Sequence, residues 1–171
     1  ARNEERLRDI AEAGSDWMWE MDSDLRFSYI SESSENHGTP KANDLIGRHR
    51  KEMSAEDDDE LWAQHMSDME NRRSFRDFRY LMKRGDDEAI HVRISGKPIF
   101  DDDGEFKGYR GIGTNITEQV EAEAFIAETS QKLHVLSSAI QQNPSMVFIT
   151  DKSGNIEYVN ETFSRMTQYK L

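Results

Sequence analysis

Apolar and polar residues alternate across positions 17–22, with Trp17, Trp19 and Met21 on one side and Met18 and Glu20 on the other. That period of two predicts a half-buried strand. After the acidic turn Asp22-Ser23-Asp24 the alternation resumes over 26–31, which predicts a hairpin-like pair. Positions 33–50 are polar and broken by Gly38, Pro40 and Gly47, so short helical turns without a regular period are expected there. A clearer helix follows, with Leu61, Trp62, His65, Met66 and Met69 at spacings of three and four, capped by Ser54 or by one of Asp57, Asp58 and Asp59. Three further alternating segments, 74–83, 88–99 and 105–114, are joined by Gly85-Asp86-Asp87 and Asp101-Asp102-Asp103-Gly104. This is turn chemistry between strands and predicts an antiparallel meander. With the first pair it makes a five-stranded sheet.

Two helices flank this pattern. Positions 1–13 place Leu7, Ile10 and Ala11 at helical spacing ahead of Gly14. Positions 117–142 contain neither glycine nor proline; Ile126, Leu133 and Ile140 fall seven apart, as do Ala122, Thr129 and Leu136. A long helix with a heptad seam is therefore expected, suited to a parallel coiled coil between two copies of the chain or to packing on the chain's own sheet.

The pattern also returns on a larger scale. Leu7, Trp19, Asp22, Tyr29 and Ile30 come back as Leu136, Phe148, Asp151, Tyr158 and Val159, each 129 residues later. An internal repeat fixes module boundaries. The chain reads as a flanking helix (1–13), one complete module (14–116), a helical linker (117–142) and the opening of a second module (143–171). That last segment has two strands and the start of a helix but no meander, so it is expected to lack order on its own or to pair with an exposed edge.

Composition narrows the chemistry. With 34 acidic and 22 basic residues the net charge is -12, which leaves no basic stripe for phosphates, so nucleic-acid binding is not expected. Cysteine is absent, removing disulfides, thiolate catalysis and cysteinyl adducts. No apolar run approaches the ~18 residues of a membrane span, and a soluble, cytoplasmic module without membrane contact is expected. Asp101-Asp102-Asp103-Gly104-Glu105 lacks a calcium loop's terminal bidentate glutamate and reads as a hairpin turn. No nucleophile-base pair, phosphate loop or metal-ligand motif is present, so neither a catalytic nor a metal site is expected, and any enzyme activity would lie outside this chain.

Three segments carry a family resemblance. Asp16-Trp17-Met18-Trp19-Glu20-Met21-Asp22 is similar to the opening strand of many bacterial sensory PAS domains, and Asp44-Leu45-Ile46-Gly47-Arg48 resembles the family's "ELIGR" helix. Gly108-Tyr109-Arg110-Gly111-Ile112-Gly113-Thr114-Asn115-Ile116-Thr117-Glu118 is similar to the "G…RDITE" close of its PAC segment. The resemblance implies an α+β PAS fold, a five-stranded antiparallel sheet with short helices on one face and linker helices at both ends. It implies a sensor whose pocket state is passed through Asn115, Thr117 and Glu118 to an output domain of histidine kinase or cyclic-di-GMP (diguanylate cyclase) type beyond this chain. Alternation nominates Trp17, Trp19, Met21, Phe27, Tyr29, Tyr80, Ile94, Tyr109, Gly111 and Gly113 for the pocket wall, joined by Trp62, His65, Met66 and Met69 of the helix. Gly111 and Gly113 remove side-chain volume for a ligand, for a bulge or for the packing of Trp19. The resemblance offers haem ligation through His65 or a non-covalent flavin as cofactors, with a small organic ligand or an empty pocket favoured over both. The family's light-sensing branch is excluded, since its cysteine motif is missing and its final-strand glutamine aligns with Gly113. Homodimerisation is expected through Ile126, Leu133, Leu136 and Ile140. The alternative is a ligand-free PAS module that dimerises and holds partners.

Overall fold

The computed structural model describes residues 16–31, 38–56, 59–85 and 88–169. The predicted N-terminal helix, Asp57 and Asp58 lie outside them. The chain divides into two compact units, Ala1–Val120 and Glu121–Leu171.

In the first unit, β1 (Asp16–Met21), β2 (Phe27–Ile30), β3 (Phe75–Arg84), β4 (Glu88–Phe100) and β5 (Phe106–Asn115) form one antiparallel sheet in the order β2-β1-β5-β4-β3. The predicted alternation holds along β1, where Trp17, Trp19 and Met21 are buried in turn. Between β2 and β3 come α1 (Ala42–Leu45), a 3-10 turn (Arg50–Met53) and α2 (Asp59–Glu70). Leu45, Met53, Trp62 and Met69 of these segments join the inward strand residues in one core. Leu45 and Met53 thus contribute buried positions from segments without a readable period. Ser54 does not cap α2; its hydroxyl accepts from Trp62 Nε1 at 3.3 Å, pinning that indole to the loop before the helix.

Tryptophan packing explains the glycines. A Cβ on Gly113 would stand 2.5 Å from Trp17 Cε2, one on Gly96 2.6 Å from Trp19 Cη2, and one on Gly111 2.8 Å from Trp19 Cε2. Gly96 pairs with Gly111 across β4 and β5, so the indole of Trp19 lies over a floor that has no side chains. It stacks on Phe75 with centroids 6.1 Å apart and meets Phe27 edge-on at 6.4 Å.

The second unit contains most of α3 (Thr117–Gln141), a two-stranded sheet of β6 (Phe148–Thr150) and β7 (Ile156–Val159), and α4 (Glu161–Thr167). The expectation of no order for this segment is corrected by a polar node. Buried Asn160 accepts from Val147 N at 2.9 Å and Phe163 N at 3.0 Å while its amide group donates to the Ser145 carbonyl at 2.9 Å. Among its described residues only Asn160 and Thr162 are buried, so hydrogen bonds rather than an apolar core hold it.

The repeat is reproduced atom for atom. Asp22 Oδ1 accepts from Asp24 N and Arg26 N, both at 3.0 Å, and Asp151 Oδ1 from Ser153 N at 2.8 Å and Asn155 N at 2.9 Å. Ser31 Oγ accepts from Met18 N at 3.0 Å, the bond that Asn160 makes with Val147 in the second unit. The register shift between Glu20 and Met21 recurs between Ile149 and Thr150.

Candidate functional site

Between the sheet and the short helices, Trp17, Trp19, Phe27, Ile30, Thr39, Leu45, Arg50, Tyr80, Met82 and Ile94 enclose a cavity. Its free volume is about 10 Å3, the lower limit for one water molecule. Five of its walls, Trp17, Trp19, Phe27, Tyr80 and Ile94, are residues that alternation nominates.

The other nominated residues stand elsewhere. Met21 and Met69 are buried in the same core without lining the cavity. Met66 is half-buried. Trp62 packs edge-on against Phe78 and Tyr80, each at 5.2 Å. Tyr109 closes the end of the core, its hydroxyl donating to the Arg73 carbonyl at 2.9 Å. Tyr29 is corrected: the register shift between Glu20 and Met21 sets it opposite Glu20, and it is 38% exposed. Gly111 and Gly113 face tryptophan rings, which leave no room for a Cβ at either position.

His65 is buried on α2, stacked flat on Phe78 at 3.9 Å and edge-on to Phe75 at 4.5 Å. Burial, reinforced by the nearby charge of Arg50, holds its imidazole down to about 3, so the ring is neutral at physiological pH. It does not reach the cavity. An open groove of about 590 Å3 runs beside it, but Asp68, Arg76, Asp77 and Arg79 make that groove a charged channel. The inner cavity is far below the ~300 Å3 at which cofactor pockets begin. Neither haem nor flavin fits the residues as they stand.

Sequence reasoning missed five wall residues, Ile30, Thr39, Leu45, Arg50 and Met82, and the charged one among them is Arg50. Its neighbours Arg48, His49 and Lys51 suggest a solvated basic loop. The 3-10 turn instead carries Arg50 inward, where it is 3% exposed. Its guanidinium carbon sits 4.0 Å from the centroid of Trp19 and 5.3 Å from that of Phe27. Nη2 donates only to Met21 Sδ, at 3.9 Å, while Nε and Nη1 have no acceptor. Burial lowers its pKa to about 10, so it remains charged at neutral pH, and burial pushes the Tyr80 phenol up to about 12. No acidic side chain is buried among the described residues.

At the far end of β5 the sheet is tied to α3. Ile116 N donates to the His91 carbonyl at 2.8 Å, and His91 N donates to Thr117 Oγ1 at 3.0 Å. Asn115 Oδ1 accepts from Thr117 N at 3.0 Å and from Thr117 Oγ1 at 2.7 Å. The Asn115 carbonyl thereby makes the bonds open to an aspartate at this position, without its charge. Glu118 is exposed in the first turn of α3, where the helix dipole favours an acid.

Residues 15–118 match the family model of a PAS domain, and residues 134–171 match a second PAS domain model. Among solved structures the fold is similar to that of an RNA-binding light-oxygen-voltage receptor, with a TM-score of 0.60 and 20% identity over 75% of this chain. This chain spans only 37% of that receptor's chain. A sensory box histidine kinase/response regulator from Burkholderia thailandensis gives a TM-score of 0.57 and 14% identity over 75% of this chain and 98% of its own. The PAS domain of a protein from Colwellia psychrerythraea gives 0.53 and 18% over 67% of this chain and 97% of its own. No curated protein matches the chain.

Proposed function

The chain belongs to the PAS domain family, and on that premise we propose that it is a sensory module that reads a small molecule in the cavity behind β1 and passes the result into α3. The observation that carries this reading is the junction of β5 with α3. The strand whose glycines seat Trp17 and Trp19 continues through Asn115 into the helix, and four hydrogen bonds from residues 91, 115, 116 and 117 clamp that passage. Repacking of the two tryptophans would move the strand beneath them, and the strand moves the helix. The mechanism is a population shift between two packings of sheet and helix.

In this reading residues 14–116 are the sensor, 117–142 the transmitting helix and 143–171 the start of a second PAS domain. The output, of histidine kinase or cyclic-di-GMP enzyme type, lies beyond the chain, and no catalysis is assigned to these residues. Nucleic acid is not among the proposed partners, because the net charge of -12 opposes it; RNA binding belongs to the structural relative named for it. No helix among the described residues is long and apolar enough to cross a membrane.

The test is to denature the purified protein and look for released small molecules by mass spectrometry, together with its ultraviolet-visible spectrum. A released metabolite, or binding of one that alters hydrogen exchange in α3, supports a chemical sensor. Absence of any bound or binding small molecule favours the second reading, a ligand-free dimerisation module. That reading draws on α3 itself, where Ile126, Leu133 and Leu136 are 66%, 63% and 60% exposed along the heptad seam.

A further inference from the structure

We infer that the cavity behind β1 is an anion site, in which Arg50 takes the carboxylate of a small organic monoacid. The inference rests on the sensory reading above and specifies its ligand class. Four residues of one cavity wall carry buried polar atoms without a partner: Trp19 Nε1, Thr39 Oγ1, Tyr80 Oη, and Arg50 Nε and Nη1. Two of these groups, the indole and the guanidinium, can only donate, and the two hydroxyls can donate as well. The wall is thus rich in donors and short of acceptors.

A buried guanidinium needs a counter-charge, because taking it out of water costs more than contact with the faces of Trp19, Phe27 and Phe75 returns. Among the described residues none supplies it, since no acid there is buried. A water in the free volume of about 10 Å3 would accept from two donors at most and would leave the charge unbalanced. A carboxylate meets both needs, and Arg is the side chain best matched to one. The remaining wall, Trp17, Phe27, Ile30, Leu45, Met82 and Ile94, is apolar and suits a hydrocarbon body rather than a hydrated inorganic ion. Its present volume means that these side chains part as the acid enters.

The whole chain is titrated with sodium acetate, hexanoate and benzoate, with acetamide, hexanamide and benzamide, and with sodium chloride and phosphate, at constant ionic strength. Tryptophan fluorescence and melting temperature are followed. At least one carboxylate should bind about tenfold more tightly than its amide, the size of one charge-assisted hydrogen bond. Binding should fall by about the same factor in Arg50→Met and severalfold in Thr39→Val, which keeps its shape. Without added acid, Arg50→Met should melt higher than the wild type, since an unpaired buried charge is gone. The inference is overturned if no carboxylate outbinds its amide, if chloride or phosphate binds as well, or if Arg50→Met melts lower or still binds the acid. Equal binding of an amide removes the anion while leaving the sensor intact. The sensory reading falls separately, if no small molecule co-purifies or binds at all.

Discussion

Replacing His65 by leucine should remove a pH-dependent share of the stability of the first unit. The imidazole is held at about 3 against an ordinary 6.5, first by burial and second by the charge of Arg50. A base whose folded pKa is depressed binds its proton more readily when unfolded. Its contribution is therefore complete above pH 6.5, declines as the pH falls below that value, and is exhausted near the folded pKa. Each pH unit well inside that window is worth about 1.4 kcal/mol, so between pH 6.5, where the unfolded group is half protonated, and pH 4.5 the wild type should lose roughly 2 kcal/mol through this group alone. Carboxylates titrate over part of the same range, so the informative quantity is the difference between the two proteins. Urea unfolding followed by tryptophan fluorescence isolates the relevant unit, because Trp17, Trp19 and Trp62 all lie within it. Loss of ring packing displaces the His65→Leu curve by a constant amount, and only the gap's change with pH reports on the proton. The gap should narrow by about 2 kcal/mol from pH 6.5 to 4.5. Parallel losses in the two proteins would refute the placement of a neutral imidazole against Phe78.

Gly111→Ala should cost about 2–3 kcal/mol and lower the melting temperature by roughly 10 °C or more, since the new Cβ would stand 2.8 Å from Trp19 Cε2 with the Ser95 carbonyl closer still; an unchanged melt would show that the indole does not lie on that strand. Asn115→Ala removes the acceptor of two Thr117 bonds, each worth about 1 kcal/mol, and should speed amide exchange at Thr117 severalfold while Asn115→Asp preserves protection. Equal exchange in both variants would mean that the side chain does not hold the junction. Leu133→Asp should weaken any dimer seen by light scattering without altering the tryptophan-monitored melt, and an unchanged oligomeric state would remove the heptad seam as an interface.

The strands were legible because they are half-buried and period two survives in them, as in β1. The turns were legible because an aspartate that accepts from backbone amides two and four residues on has few substitutes; Asp22, Asp101 and Asp151 all do this. Tyr29 shows where the rule stops. A register shift of one residue turns every later side chain to the opposite face, and nothing in Phe27-Ser28-Tyr29 announces that shift. The same register shift recurs between Ile149 and Thr150 in the second copy, again without a mark in the residue pattern.

Arg50 was illegible for a different reason. Burial of a strand residue is a local property, set by which face it occupies, whereas burial of Arg50 depends on a 3-10 turn, on three aromatic rings from β1, β2 and β3, and on Met21. A sequence rule that assigns charge to the surface is right at Arg48 and Lys51, both exposed, and wrong at Arg50, between His49 and Lys51. The same contacts set the chemistry. Aromatic faces lower the cost of carrying a cation inward but offer no lone pair to its N–H groups. A core of Trp19, Phe27 and Phe75 can therefore tolerate Arg50 without satisfying it, and a tolerated, unsatisfied charge leaves the core most responsive to an occupant that brings the missing negative charge.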